Sequence, residues 1–235
     1  MNLEDSLQQV RAEFMDRMRR GSGHLLLEVE TFVTSRTGKM LRPRFTLLAA
    51  DTLGQASSRR TILLATAVEM LHNASLLHDD VIDRSDKRRG KPSVNARWNN
   101  SVAVLVGDFL LAQVMRILHE VDEPDTTRRV YQTVEAMVES ELLAQETINR
   151  PGGQTANQYL SVIDGKTARL FATACALGNP AYEEFGLHYG RLFQLRDDID
   201  DGEATSFTEE LIRQEKDILA AIKPSLPIPN TGIME

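Results

Sequence analysis

A chain of 235 residues with 42% hydrophobic and 26% charged side chains has material for one sizeable core, as in ordinary globular proteins. Its formal net charge of −7 argues against a nucleic-acid surface, which needs a basic excess. The single cysteine, Cys175, excludes an internal disulfide.

The opening segment, MNLEDSLQQVRAEF, is charged and lacks the apolar stretch of a signal peptide. Leu3, Leu7, Val10, Phe14 and Met18 recur there at helical spacing. A second helix is expected over roughly 24–36, and Pro43 opens a third that Gly54 closes. The segment from Thr61 to Asp83 is apolar almost all round, the pattern of a helix in the middle of a bundle. A polar, basic loop, DRSDKRRGKPS, follows it. Further helices are expected over about 100–120, 126–149, 155–178, 182–201 and 207–222, and no strand is expected. The tail after about residue 224 reads as irregular. No run approaches about 18 uncharged apolar residues, so no membrane span is expected, and the expected location is cytoplasmic. The pattern is that of a single all-α domain over 1–235.

Two aspartate clusters lie inside these apolar runs: LLHDDVID, with Asp79, Asp80 and Asp83, and FQLRDDIDD, with Asp197, Asp198, Asp200 and Asp201. At about 3.6 residues per turn, Asp79 stacks on Asp83, and Asp197 on Asp201. Like charges one turn apart repel, so each pair costs stability unless something positive binds between them. A solvated helix face or a cap would account for one cluster alone, but far less well for two. Two walls of carboxylate oxygens facing one cleft would suit Mg²⁺, which also takes water and substrate phosphates.

A cleft of that kind raises the question of where the positive side chains lie. Lys39 and Arg42 stand three apart at the expected start of the third helix, Arg88 and Arg89 in the basic loop, and Lys166 beside Thr167 in IDGKTARLF. Arginine's planar fork suits bidentate phosphate binding and lysine supplies a compact charge. Adjacent arginines on a loop can point apart and serve two different anions. Each group on its own could equally be a solvated surface charge. His72 lies seven residues before Asp79, two turns along the same face. A lone histidine on an apolar helix is usually a core residue, and only its alignment gives His72 weight. His78 packs or orients a carboxylate.

LHNASLLHDDVIDRSDKRRGKPS, preceded by GKMLRP and followed by GDFLLA, GKT and FQLRDD, resembles the trans-isoprenyl diphosphate synthases, the polyprenyl synthetase family of head-to-tail prenyltransferases. The resemblance runs from about Gly38 to Asp201. It implies an isoprenoid-synthase-like helical bundle around a central cavity, commonly a homodimer. It also implies Mg²⁺-dependent condensation of isopentenyl diphosphate with an allylic diphosphate, with three Mg²⁺ ions when substrate is bound. By matched position, Asp79 and Asp83 would hold metal with Asp80 in support. Asp197 would hold it at the second motif, with Asp198 and Asp201 acting directly or through water. Lys39, Arg42, His72 and Arg89 would bind isopentenyl diphosphate, and Arg88 the allylic diphosphate. Lys166, Thr167 and Gln194 would line the allylic site near the developing cation. In this family, bulky residues at the positions of Ala74 and Ser75 floor the product cavity. Both side chains are small here, which implies a product of C20 or longer.

The chain departs from the family's pattern after Asp201. A Gly-Lys/Asp-rich loop usually follows, whereas DGEATSFTEELIRQEKDILAAIKPS stands here, and the sequence reads as a compact variant. Two alternatives remain. One is a non-catalytic partner subunit of a heteromeric synthase, although such subunits tend to lose one aspartate motif. The other is a class I terpene cyclase, whose second metal motif usually mixes Asn, Ser or Thr with Glu.

Overall fold

The computed structural model describes residues 2–20, 23–34, 38–88, 90–147 and 155–222; the expected irregular tail lies outside them. Eleven helices run through these residues. Helix α1 (Leu3–Arg19) is capped by the Asn2 side chain, carries Glu4 and Asp5 in its first turn and Arg17 and Arg19 in its last. That distribution complements the helix dipole. Helix α2 covers His24–Thr34 and α3 covers Leu41–Asp51. The latter starts two residues ahead of Pro43, which the first turn tolerates because its N–H groups have no intrahelical acceptor. Gly54, with φ of 68°, follows its end.

Helix α4 (Arg59–Ile82) begins at Ser58, whose hydroxyl accepts from the Thr61 amide. Every residue from Thr61 to Leu71 is buried, as the all-round apolar pattern required. The basic loop then forms a two-stranded antiparallel ladder, β1 (Lys87–Arg88) with β2 (Lys91–Pro92), and a short helix α5 (Val94–Arg97). The expectation of no strand is corrected here. Gly90, with φ of 74°, allows the reversal, and the ladder is too short for a period-2 pattern to announce it.

Helices α6 (Asn100–Val121), α7 (Pro124–Thr147) and α8 (Ala156–Ile163) follow. A five-residue π-helical turn, Asp164–Ala168, leads into α9 (Arg169–Gly178). A 3₁₀ turn at Pro180–Tyr182 opens α10 (Glu183–Asp200), and α11 covers Thr208–Ala221.

The chain groups into two compact units, Met1–Leu47 with Ala56–Glu123, and Leu48–Gln55 with Pro124–Glu235. In the first, α4 packs along α6 and against α1. Leu7, Val10, Met40, Leu47, Ile62 and Ala65 form one apolar cluster. Leu64 is fully buried, so its truncation to alanine should cost about 2–5 kcal/mol. Arg17, also fully buried, bonds Glu13 at 2.7 Å and Glu120 at 2.5 Å, tying α1 to α6. Helix α6 is long and apolar enough to cross a membrane by length and composition, with Asp108 and Arg116 interrupting its apolar run. Its Ala103, Val106, Leu110, Val114 and Ile117 are buried, and the helix packs on α4 and α5.

In the second unit, α10 packs against α9 and α11, and the π turn lies against α7 and α10. Close approach is secured by glycines. A Cβ on Gly186 would stand 2.6 Å from the Phe171 carbonyl, and one on Gly190 would stand 2.6 Å from the Ala168 Cα. The Phe171 ring meets Tyr189 edge-on at 5.4 Å. Tyr159, Ile163, Leu195 and Leu211 form the cluster on which α11 docks.

Candidate active site

Both aspartate motifs end their helices in the same way. Asp83 is the C-cap of α4 and Asp201 the C-cap of α10. The next residue, Arg84 or Gly202, turns left-handed at φ of 52° and 77°. The Ser85 amide then donates back to the Asp80 carbonyl at 2.9 Å, and the Glu203 amide to the Asp198 carbonyl at 2.7 Å. This Schellman closure satisfies the last carbonyls of each helix. It also places several carboxylates at the negative end of a helix dipole, each disfavoured there by about 0.3–1 kcal/mol. A bound cation removes that penalty.

In each motif the middle carboxylate is buried and the outer pair is accessible. Asp80 and Asp198 are buried, Asp79 is half-buried, and Asp83, Asp197 and Asp201 are exposed. Among the described residues, no three His, Cys, Asp or Glu side chains form a metal-holding cluster. Each motif offers one-turn-spaced carboxylates, and a hard cation there would complete its shell from water and phosphate oxygens. The donor set therefore fits Mg²⁺.

Asp80 is held from the loop. Arg88 Nη2 and Nε donate to its Oδ1 at 2.6 and 2.9 Å. Burial pushes the Asp80 carboxyl above its ordinary range, and the Arg88 guanidinium opposes that rise. The loop itself is pinned to the end of α4. Asn95 Nδ2 donates to the Asp80 and Ser85 carbonyls at 3.2 and 3.1 Å, and Ser93 Oγ to the Ser85 carbonyl at 2.7 Å.

Asp198 is held by α8 and α10. Tyr159 donates its hydroxyl to Asp198 Oδ2, and Gln194 Nε2 donates to Oδ1 at 2.7 Å. Burial and the Asp198 charge push the Tyr159 phenol well above its ordinary range, so it stays a donor. Thr167 Oγ1 in turn donates to Gln194 Oε1 at 2.6 Å, which brings these two expected residues together. Thr167 and Lys166 sit on the π turn, where Lys166 Nζ lies 3.9 Å from Glu141 Oε2. A π insertion in a helix is often found at a functional site.

The remaining expected residues that the structure describes lie in the first unit. Arg42 Nη1 lies 3.1 Å from His72 Nε2, joining two of the four proposed anion ligands. Lys39 is exposed, and its carbonyl accepts from Arg44 Nε at 3.2 Å. Between Lys39 and Arg42, buried Met40 adopts a left-handed φ of 48°, a conformation that a tightly packed site must enforce. Arg89 lies outside the described residues. Ala74 is buried and Ser75 half-buried, with Ser75 Oγ donating to the His72 carbonyl at 2.9 Å. His78 approaches Asp108 at 3.4 Å and the Val104 carbonyl at 3.3 Å. A Cβ on Gly107 would stand 2.3 Å from His78 Nε2, so that glycine makes room for the ring.

A profile of the Polyprenyl synthetase family matches residues 24–230. The chain belongs to the polyprenyl synthetase family. Among its family relatives is an all-trans-nonaprenyl-diphosphate synthase (geranyl-diphosphate specific) of Rhodobacter capsulatus. It is 39% identical over 213 residues, 87% of this chain and 65% of the relative. This polyprenyl synthetase sequence thus spans just under two-thirds of that relative's length. A crystal structure of a decaprenyl diphosphate synthase from the same organism matches with a TM-score of 0.79 at 32% identity, covering 87% of this chain and 68% of that one. A polyprenyl synthase from Caulobacter crescentus, complexed with calcium and isoprenyl diphosphate, matches with a TM-score of 0.78 at 33% identity, covering 83% and 62%. The all-α architecture is accordingly that of the isoprenoid synthases.

Sequence reasoning missed Tyr159, Asn95 and the π turn. Tyr159 stands in a mixed stretch, ANQYLSVI, and Asn95 in a polar one, and neither carries a signal of its role.

Proposed function

We propose that the protein condenses isopentenyl diphosphate with an allylic diphosphate to give a trans-polyprenyl diphosphate of C20 or longer. One observation carries the reading: both motifs repeat a buried, clamped middle aspartate with accessible carboxylates one turn away at a helix C-terminus. That arrangement holds outer carboxylates ready for hard cations while hydrogen-bond donors of the protein satisfy the middle one.

Asp79 and Asp83 would hold Mg²⁺ at the first motif, and Asp197 and Asp201 at the second, with Asp80 and Asp198 in support. Three ions with substrate bound is the expected complement. Mg²⁺ in these positions supplies Lewis-acid stabilisation of the departing diphosphate. The relative crystallised with calcium and isoprenyl diphosphate supports a divalent cation.

The chain's own groups do the rest. Lys39, Arg42, His72 and Arg89 bind the isopentenyl diphosphate, and Arg88 and Lys166 the allylic diphosphate. The allylic C–O bond breaks with its electron pair leaving on diphosphate. The double bond of isopentenyl diphosphate then forms the new C–C bond, and a proton is lost to the released diphosphate. Thr167 and Gln194 are fixed by their mutual bond and by Asp198, so their oxygens form a preorganised dipole for the allylic cation. Small Ala74 and Ser75 leave the growing tail a path along α4.

The protein is proposed to act as a cytoplasmic homodimer. Exposed Leu105 and Met115, at 66% and 69%, give α6 an apolar surface suited to a second copy. Incubating the chain alone with Mg²⁺, an allylic diphosphate and labelled isopentenyl diphosphate tests the function. Labelled polyprenyl diphosphate is expected. Turnover only after a second subunit is added would favour the partner-subunit reading. Hydrocarbon from the allylic diphosphate alone would favour a cyclase.

A further inference from the structure

Helix α11 follows the second aspartate motif, and it buries Thr208, Leu211, Glu215 and Leu219. Three of these suit a packed face; Glu215 does not. Its carboxylate is only 5% exposed. A leucine there would pack without the desolvation that a charge incurs, so the carboxylate needs another explanation.

The partners supply one. Glu215 Oε1 lies 3.3 Å from Arg191 Nη1 and its Oε2 lies 2.5 Å from His188 Nδ1. Arg191 grips Asp164 with both arms, Nε to Oδ1 at 2.6 Å and Nη2 to Oδ2 at 2.8 Å. Asp164 is the first residue of the π turn, and Lys166 and Thr167 follow two and three residues later. The turn's other sides are already fixed. A Cβ on Gly165 would stand 2.3 Å from Ser140 Cβ and 2.4 Å from the Ala136 carbonyl on α7, and Gly190 on α10 meets Ala168. The ion chain closes the remaining side. A π turn holds one extra residue, with i→i+5 bonds, and relaxation to the α register would rotate the side chains beyond it by about 100°.

We propose that α11 is a positioning element for the allylic site: Glu215, through Arg191 and Asp164, holds the π turn in the register that presents Lys166 and Thr167. This rests on the roles given above to Lys166 and Thr167. Glu215 and Arg191 are positioning residues and touch no substrate.

The test uses Glu215→Gln, which keeps the shape and removes the charge, and Arg191→Lys, which keeps the charge and removes the fork. Hydrogen exchange at the amides of Lys166 to Arg169 should quicken roughly tenfold in Glu215→Gln, the size expected for a lost charge-assisted contact, with α7 unchanged. The KM for the allylic diphosphate should rise about fivefold or more in both variants, while that for isopentenyl diphosphate stays within about twofold. Combining Glu215→Gln with Lys166→Ala should raise the allylic KM no further than Lys166→Ala alone, because both act on one contact. Unchanged exchange, equal effects on both substrates, or multiplying effects in the double variant would overturn the proposal. If Glu215→Gln does not fold, Arg191→Lys carries the same comparisons. A wild-type chain without turnover defeats the functional reading instead, and the exchange measurement still decides whether α11 braces the turn.

Discussion

Arg88 and Asp80 meet across the end of α4, with the guanidinium 2.6 Å from a carboxylate that is itself 5% exposed. The arginine expected to receive the allylic diphosphate therefore also neutralises the middle aspartate of the first motif. Arg88→Ala should cost about 1–2 kcal/mol of stability, held to that by the arginine's own exposure. It should also raise the KM for the allylic diphosphate more than that for isopentenyl diphosphate, with Arg89→Ala doing the reverse. Steady-state kinetics with each substrate varied in turn decides it; equal effects of both variants on both substrates would end the two-pocket assignment.

Activity should depend on both carboxylate pairs. Asp79→Ala and Asp197→Ala should each lower turnover by several orders of magnitude, because each removes a proposed oxygen ligand from the leaving-group site. Helical content by circular dichroism should barely change, since Asp79 is half-buried and Asp197 exposed. Full turnover of either variant, or of the wild type in EDTA, would remove the metal assignment.

Product length is the third expectation. Dephosphorylated products separated by chromatography should contain C20 or longer alcohols. Ala74→Phe should shorten them to about C15 if the tail passes that position, and Ser75→Phe should act in the same direction. Ala74 is buried, so the larger ring should also destabilise by about 1–3 kcal/mol. Farnesol as the main wild-type product would refute the open path.

Stability in acid should trace to the Arg17–Glu13–Arg59 group. Burial tends to raise the Glu13 carboxyl, but hydrogen bonds from Arg59 and Arg17 hold it below its ordinary value of 4.5. The Glu120 carboxyl is lowered from 4.5 chiefly by Arg17. Depressed folded-state values mean that the unfolded chain binds more protons in this window. The contribution is thus complete above about 4.5 and is lost as pH falls through the folded-state values. Thermal melts between about pH 3 and 7 should show the midpoint falling with acid, and Arg59→Ala should flatten that slope. Asp80, raised by burial, contributes with the opposite sign above its ordinary 3.8. A melt series for Arg59→Ala that is parallel to wild type would discard the assignment.

The helices were legible in the sequence because their causes are local. The all-round apolar run from Thr61 to Asp83 marked a helix, which is buried without a break from Thr61 to Leu71, and the one-turn spacing of Asp79 with Asp83 and of Asp197 with Asp201 followed from helical pitch alone. The family resemblance further matched the basic groups and the Thr167–Gln194 pair to roles. Tertiary structure decided what depends on partners far apart in the chain. Arg88 reaches Asp80 because Asn95 and Ser93 fold the loop back onto α4. Tyr159 reaches Asp198 across 39 residues. Glu215 is buried because Arg191 and His188 await it, although its amphipathic position in the sequence reads as any surface glutamate. Periodicity records which face of a helix is covered; it carries no record of the polar group that the covering element brings.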